Sequence, residues 1–329
     1  MFRQSPSPVR APSWRQVASI GVPVVVGISA IAFVLSGGAT GSAVASAAAG
    51  APTSAEQKAT LSVVASTSVY GDIAHQIGGD LVSVTSIIDD PDRDPHEYQA
   101  DGQNQLSISK ADIVIENGAG YDDFIDTMLS SSKNTHAVVL NAATISGYDL
   151  GPAAGDLNEH LWYDFATMTK VADEVADSLG DLDPAGSATY RANAAAFTAE
   201  LTSLSATEAQ LRTTYAGRGV AITEPVPLYL LQSIGLVDET PSKFSDAVEN
   251  GTDVAPDVLA QTTALFAGHD VVLLAYNAQT AGAQTDQVVA AARAASVPVV
   301  GVTETLPQGE SYLQWMTGNL AAVAAALAE

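Results

Sequence analysis

The sequence predicts an α/β fold with two doubly wound, parallel-sheet lobes joined by one long rigid helix. Beyond residue 58, short apolar strands alternate with helical segments in the first and last thirds of the chain, which is typical of parallel sheets. Between them, residues 187–215 contain neither Pro nor Gly and have apolar side chains at helical spacing. This segment predicts a helix about 43 Å long at 1.5 Å per residue.

The N-terminal segment, residues 1–47, has the three parts of an export signal. Residues 1–16 contain three arginines and no acidic residue, residues 17–36 are almost wholly apolar, and small A-x-A cleavage sites follow. The apolar run approaches the roughly 20 residues that span a bilayer. We therefore predict a cleaved signal peptide or an uncleaved N-terminal anchor, followed by a flexible linker over 48–58.

The first lobe is predicted to span residues 59–165. Its predicted strands are 61–66, 81–88, 111–116 and 137–140, and its predicted helices are 70–78, 105–110 and 121–130. Apolar and polar residues alternate in the second strand, as they do in a strand with one buried face. The following segment, 89–103, contains Pro91 and Pro95 and predicts a loop.

The middle of the chain, residues 166–217, is predicted to be helical. Its first helix, 166–179, is expected to end at Gly180, and its second is the linking helix over 187–215. The second lobe is predicted to span 218–329, where the alternation of strands and helices resumes. Its predicted strands are 220–223, 271–276 and 297–302, and its predicted helices are 227–234, 256–266, 285–295 and 311–328.

The exported part of the chain is acidic and has no cysteine. Three of the 13 basic residues lie in the N-terminal segment and all 37 acidic residues lie beyond residue 55, which leaves a net charge of −27. Such a surface repels nucleic acid and anionic lipid and favours cationic ligands. The absence of cysteine excludes thiolate ligands and attachment of lipid through cysteine. We expect a protein at the outer face of the cytoplasmic membrane, in the periplasm or at the cell surface that is not a lipoprotein.

Four side chains occupy positions where two parallel sheets would form a ligand site between their lobes. They are His96, His160, Glu224 and Glu304. Three of them follow predicted strands, and His160 lies in the loop before the middle helices. Two imidazoles with two carboxylates suit Zn²⁺ or Mn²⁺, and four protein ligands leave little room for a reacting water.

Each candidate also has a purely structural interpretation. His96 follows Pro95 and fits a surface turn, whereas His160 fits a ring packed against Trp162. Glu224 and Glu304 could simply end strands. The remaining histidines, His75, His136 and His269, are predicted to lie outside the site.

Motifs along nearly the whole exported chain resemble those of metal-binding solute receptors of ABC importers, from the cluster that takes up zinc or manganese. In order, they are DPHEY at 94–98, ADIV and NG at 111–118, NEHLWYD at 158–164, DP…Y…N at 183–193, TEPVPLYLLQSIGL at 223–236 and VPVVGVTETLP at 297–307. The resemblance implies two lobes around a metal cleft. It places His96, His160, Glu224 and Glu304 at the family's ligand positions.

The resemblance also implies a function that does not involve catalysis. A monomeric receptor would bind Zn²⁺ or Mn²⁺ outside the membrane and deliver it to a permease and an ATPase on separate chains. Zinc-type members often have a loop rich in His and acidic residues between the first two ligands, but residues 141–157 contain no His and two Asp. This favours manganese, or a zinc receptor without that loop.

Two other functions remain open from the sequence. One is an exported metal-dependent hydrolase with Glu97 or Glu159 as general base, although the chain has no H-E-x-x-H, G-x-S-x-G or P-loop motif. The other is a surface adhesin stabilised by a structural metal, a role attributed to members of the same family.

Overall fold

The computed structural model describes most of the chain that follows the predicted linker. The described residues are 60–91, 93, 98, 101–148, 150 and 157–329. The predicted signal or anchor, the linker and His96 lie outside them. Among the described residues, no helix combines the length and the apolar character that a membrane span requires.

The first lobe is a four-stranded parallel sheet flanked by helices. Its strands are β1 (Leu61–Thr67), β2 (Val82–Ile88), β3 (Ile113–Glu116) and β4 (Val138–Asn141), in the order β2-β1-β3-β4. Its helices are α1 (Ser68–Gly78), α2 (Gly102–Lys110), α3 (Phe124–Ser132) and α4 (Ala142–Ser146). The predicted strands and helices of this lobe are all present with small shifts at their ends, and α4 is an additional helix.

Two long helices follow, α5 (Phe165–Leu182) and α6 (Ser187–Tyr215). The predicted bounds of the linking helix are correct. The predicted end of the preceding helix at Gly180 is wrong, because α5 continues through this residue. A Cβ at Gly180 would lie 2.8 Å from the Ser187 hydroxyl, so the glycine permits the close approach of α6.

The second lobe repeats the strand order of the first. Its strands are β5 (Gly219–Ile222), β6 (Val237–Asp238), β7 (Leu274–Asn277) and β8 (Val299–Val302), all parallel and in the order β6-β5-β7-β8. Its helices are α7 (Leu228–Ser233), α8 (Ser242–Glu249), α9 (Pro256–Ala267), α10 (Ala283–Ala294) and α11 (Tyr312–Ala328). Strand β6 and helix α8 were not predicted from the sequence. The structure therefore consists of two doubly wound parallel-sheet lobes, as predicted.

One apolar core is shared by the two lobes and the helices between them. It includes Val63 of β1, Val171 of α5, Leu201 of α6, Val220 of β5 and Leu320 of α11, each at most 2% exposed. Burying such side chains contributes about 1.5–3 kcal/mol each. A large rotation of one lobe would expose this core to water and would cost much free energy. Only small movements of the lobes relative to each other would cost little free energy. The predicted limits of the first lobe (59–165), the helical segment (166–217) and the second lobe (218–329) stay a prediction.

A buried acid lies on the linking helix. Glu208 is 6% exposed, and burial, followed by the charge of Asp164, raises its pKa from 4.5 to about 8. The folded state therefore holds this proton more tightly than the unfolded chain. The associated stability is present below about pH 4.5 and is lost as the pH rises towards 8.

We expect Glu208→Gln to reduce the loss of stability between pH 5 and pH 9, because the amide cannot ionise. The free energy of unfolding of metal-free protein, measured in urea at several pH values, tests this expectation. Glu200→Gln is the matched control, since Glu200 is exposed on the same helix. Equal pH dependence in the wild type and Glu208→Gln would contradict the assignment.

Candidate metal centre

Two of the predicted acidic ligands lie at the carboxyl edge of the second sheet. Glu224 follows β5 and Glu304 follows β8, while Asn277 is the last residue of β7, the strand between them. The Asn277 Nδ2 atom donates to Glu224 Oε2 and to Glu304 Oε1, each over 2.5 Å. Because both oxygens accept from the same nitrogen atom, they lie at most twice 2.5 Å from each other.

These carboxylates are almost completely buried. Glu224 is 2% exposed and Glu304 is 6% exposed. Thr280 also donates to the second oxygen of Glu224, and the Thr223 hydroxyl accepts from the backbone N–H of Asn277. These neutral donors orient the carboxylates, and a bound cation would stabilise them further.

The His160 ring is fully buried and its orientation is fixed by Asn158. The Asn158 Nδ2 atom donates to the Pro225 carbonyl over 3.0 Å, which leaves Oδ1 as the acceptor for His160. His160 Nδ1 lies 2.8 Å from that oxygen and therefore carries the proton in the neutral ring. The lone pair is on Nε2, the nitrogen that can bind a metal ion.

His160 also packs against aromatic rings. Its centroid is 5.1 Å from that of Trp162 and 6.2 Å from that of Tyr121, in edge-on geometry. The structural interpretation of His160 was therefore correct in its contact with Trp162. The packing and the Asn158 contact together fix the direction of Nε2, which a metal ligand requires.

The segment that contains His160 is attached to both lobes. In the first lobe, Asn117 Nδ2 donates to the Glu159 carbonyl over 2.9 Å. In the second, the Tyr229 hydroxyl donates to the Asn158 carbonyl over 2.8 Å, in addition to the bond between Asn158 and Pro225. The position of His160 is thus fixed relative to the strand ends of both sheets.

A further acidic residue, Glu249, meets His160 from the end of α8. Its Oε1 atom is 3.6 Å from His160 Nε2. Ligand atoms of Glu159, His160 and Glu249 all lie within 4.8 Å of one another. Sequence reasoning missed Glu249 because no strong pattern predicted α8. The acidic residue at the C-terminus of a short helix was the only signal, and it is a weak one.

Burial and negative charge strongly perturb Glu249. Burial is the main cause that raises its pKa from 4.5 to about 9, and the charges of Glu159, Glu224, Glu304 and Asp246 add to it. The acidic groups at the carboxyl edge of the second sheet therefore raise the pKa of Glu249, as do those beside His160. This concentration of acidic groups around one imidazole favours a cation.

A cavity of about 760 Å³ leads from the surface to this cluster. Residues from both lobes line it, including the acidic residues Glu159, Asp246 and Glu249. The structure thus places Glu159 and Glu249 beside His160 and joins Glu224 to Glu304 through Asn277, whereas His96 lies outside the described residues. His75, His136 and His269 are exposed.

The fold and the buried imidazole–carboxylate cluster define a two-lobed solute-binding protein of the metal-binding class. Residues 63–326 match the model of the family described as zinc-uptake complex component A, periplasmic. Since the match spans most of the chain, the protein belongs to this family of solute-binding proteins of ABC importers.

Relatives and solved structures agree with this membership. The manganese-binding lipoprotein MntA of Halalkalibacterium halodurans is 31% identical over 144 residues, which are 44% of this chain and 47% of MntA. The match therefore spans about half the length of this curated relative.

Two solved structures show the same fold. FpvC of Pseudomonas aeruginosa, in complex with Mn²⁺, is 23% identical with a TM-score of 0.67, covering 82% of this chain and 99% of FpvC. The laminin-binding adhesin Lmb of Streptococcus agalactiae is 20% identical with a TM-score of 0.68, covering 81% of this chain and 99% of Lmb.

We expect Asn277→Ala to destabilise metal-free protein by about 1–3 kcal/mol, because two buried carboxylates lose a shared donor. Urea unfolding in the presence of a chelator measures the change. Asn250→Ala is the control, since Asn250 is exposed and its side chain donates only to a backbone carbonyl of its own helix among the described contacts. An unchanged unfolding midpoint in Asn277→Ala would show that the donor is dispensable.

Proposed function

We propose that the protein is an extracytoplasmic receptor that captures Zn²⁺ or Mn²⁺ and delivers it to an ABC permease. The observation that carries this proposal is the position of the buried His160 ring, whose Nε2 atom lies 3.6 Å from Glu249 Oε1 beside a cavity lined by Glu159 and Glu249. The ion is the cargo of the protein and takes no part in a chemical reaction.

The proposed ligands are His96, His160, Glu224 and Glu304. The contacts of the last three support their roles, since each is buried and oriented by an asparagine side chain. The role of His96 rests on its place in the DPHEY motif. Imidazole and carboxylate donors together suit both Zn²⁺ and Mn²⁺.

Delivery of the ion requires a change in the site that the fold permits. The shared core and helix α6 oppose a wide hinge movement, whereas the segment containing His160 is hydrogen-bonded to both lobes. A small lobe displacement would therefore change the distance between His160 and the carboxylates of the second sheet. Contact with the permease would stabilise the displaced state.

The remaining features of the proposal follow from the sequence. The protein acts outside the cytoplasmic membrane as a monomer, and the permease and its ATPase are separate chains. The relative MntA is named a lipoprotein. Our expectation that this chain is not one rests on its lack of cysteine. It is a carrier and not an enzyme.

The two alternatives make different demands on the site. A hydrolase needs an open coordination position on the metal ion and a general base. The carboxylates around His160 favour an ion whose coordination positions are all filled by protein ligands. An adhesin could use the same fold, as the similarity to Lmb illustrates. The metal would then be structural, and its removal would unfold the protein.

His160→Ala is expected to weaken Zn²⁺ and Mn²⁺ binding by at least about 100-fold, because loss of a buried ligand exceeds the 10–100-fold effect of losing a supporting group. Isothermal titration calorimetry on metal-free protein measures both affinities. His136→Ala is the control, since His136 is exposed in the first lobe. Unchanged binding by His160→Ala would refute the proposed site.

Removal of the metal by a chelator is expected to leave the fold intact, because the apolar core does not include the site. Circular dichroism should be unchanged, and metal at 1,000 times Kd should restore about 4 kcal/mol of stability. Unfolding on chelation would instead support a structural ion and the adhesin interpretation.

A further inference from the structure

We propose that Glu249 supplies a carboxylate oxygen to the ion that His160 binds, and that this additional donor favours Mn²⁺ over Zn²⁺. The inference rests on the proposed function and identifies a residue that determines specificity at the same site. It assigns Glu249 a role that the sequence motifs do not suggest.

The first argument is the separation of the two donor atoms. Glu249 Oε1 and His160 Nε2 are 3.6 Å apart, which is longer than the 2.7–3.2 Å of a direct hydrogen bond. Two donors that each lie about 2.1 Å from one ion are about 3.0 Å apart at the 90° angle of an octahedral ion and about 3.4 Å apart at the tetrahedral angle. The observed separation is a little longer than either, so a small movement of the Glu249 side chain would place both donors on one cation.

The second argument is the environment of the Glu249 carboxyl group. Its side chain is 14% exposed, yet both of its oxygens are buried and have no hydrogen-bond partner among the residues that the structure describes. In contrast, Asn277 and Thr280 donate to the two oxygens of Glu224. Buried acceptors without a donor are costly, and a metal ion would remove that cost.

The third argument is how firmly α8 holds this residue. Phe244, five residues earlier on the same helix, is 0% exposed and belongs to the apolar core of the second lobe. The helix ends at Glu249, and Gly251 adopts a φ of +61°, which turns the chain away. The negative end of the helix dipole adds to the negative potential at the carboxylate.

The donor set then determines which cation is favoured. Glu249 would add a third carboxylate group to the four proposed ligands, which comprise two imidazoles and two carboxylates. Oxygen-rich sets suit Mn²⁺, whereas imidazole-rich or thiolate sets suit Zn²⁺. A closed zinc site takes four ligands, so a further carboxylate benefits an ion that accepts a larger coordination number.

The test compares Glu249→Gln with Asp246→Asn in the mature exported protein. Asp246 is exposed in the wall of the same cavity and one turn from Glu249, so its variant makes the same carboxylate-to-amide change nearby without removing the proposed donor. We expect Glu249→Gln to weaken Mn²⁺ binding by about 10–100-fold and Zn²⁺ binding by clearly less. Asp246→Asn should change both affinities by less than about 3-fold, as expected of an exposed charge.

Competition titration with the two metals gives the ratio of affinities, and the electron paramagnetic resonance spectrum of bound Mn²⁺ reports directly on its ligands. We expect this spectrum to change in Glu249→Gln and to stay the same in Asp246→Asn. Thermal unfolding of the metal-free variants checks the fold. If Glu249→Gln fails to fold, Glu249→Asp keeps the charge and withdraws the oxygen by one methylene, and it should show the same loss of Mn²⁺ preference.

The outcomes separate the inference from the function on which it rests. Wild-type Mn²⁺ and Zn²⁺ affinities in Glu249→Gln, with binding lost in His160→Ala, would overturn the role of Glu249 and leave the receptor proposal standing. Equal losses for both metals would overturn the claim of selectivity. Unchanged binding in both variants would overturn the receptor proposal itself.

Discussion

The site is dominated by the cost of ionising acidic side chains that the fold has removed from water. Glu224, Glu249 and Glu304 lie close enough to influence one another, and burial makes their ionisation costly. Neutral partners such as Asn277 orient the carboxylates without cancelling their charge. A divalent cation would supply positive charge and coordination to these carboxylates. The metal-free site is thus built for a ligand, and the rest of the molecule maintains it.

The fold maintains the site by bringing strand ends together and holding them there. Both sheets have the same strand order, and the loops that follow their strands contain the chemically important side chains. The shared core and α6 hold the two lobes in a fixed relative position. The segment around His160 contacts both lobes, so a movement of one lobe relative to the other would shift the imidazole. A carrier benefits from such coupling, because a small displacement can weaken the hold on the ion without unfolding any element.

The orientation of the ligands matters as much as their identity. Asn158 determines which His160 nitrogen carries the proton, and Asn277 holds two carboxylates from different strands. Both asparagines act through neutral hydrogen bonds, which set direction and remain compatible with a bound cation. The site therefore consists of ligands and of the groups that aim them. Residues of the second kind are difficult to recognise in a sequence, because asparagine in a loop is common.

The sequence alone determined the features that depend on local pattern. Alternating strands and helices defined both lobes, the absence of Pro and Gly defined α6, and the ordered motifs singled out His160, Glu224 and Glu304. Tertiary structure decided what depends on contacts between distant segments: the continuation of α5 through Gly180, the bridge through Asn277 and the arrival of Glu249 beside His160. The contacts of Asn277 and Glu249 join residues tens of positions apart, and strand order and helix packing create them. No local periodicity encodes such proximity, so Glu249 became visible only when the chain was folded.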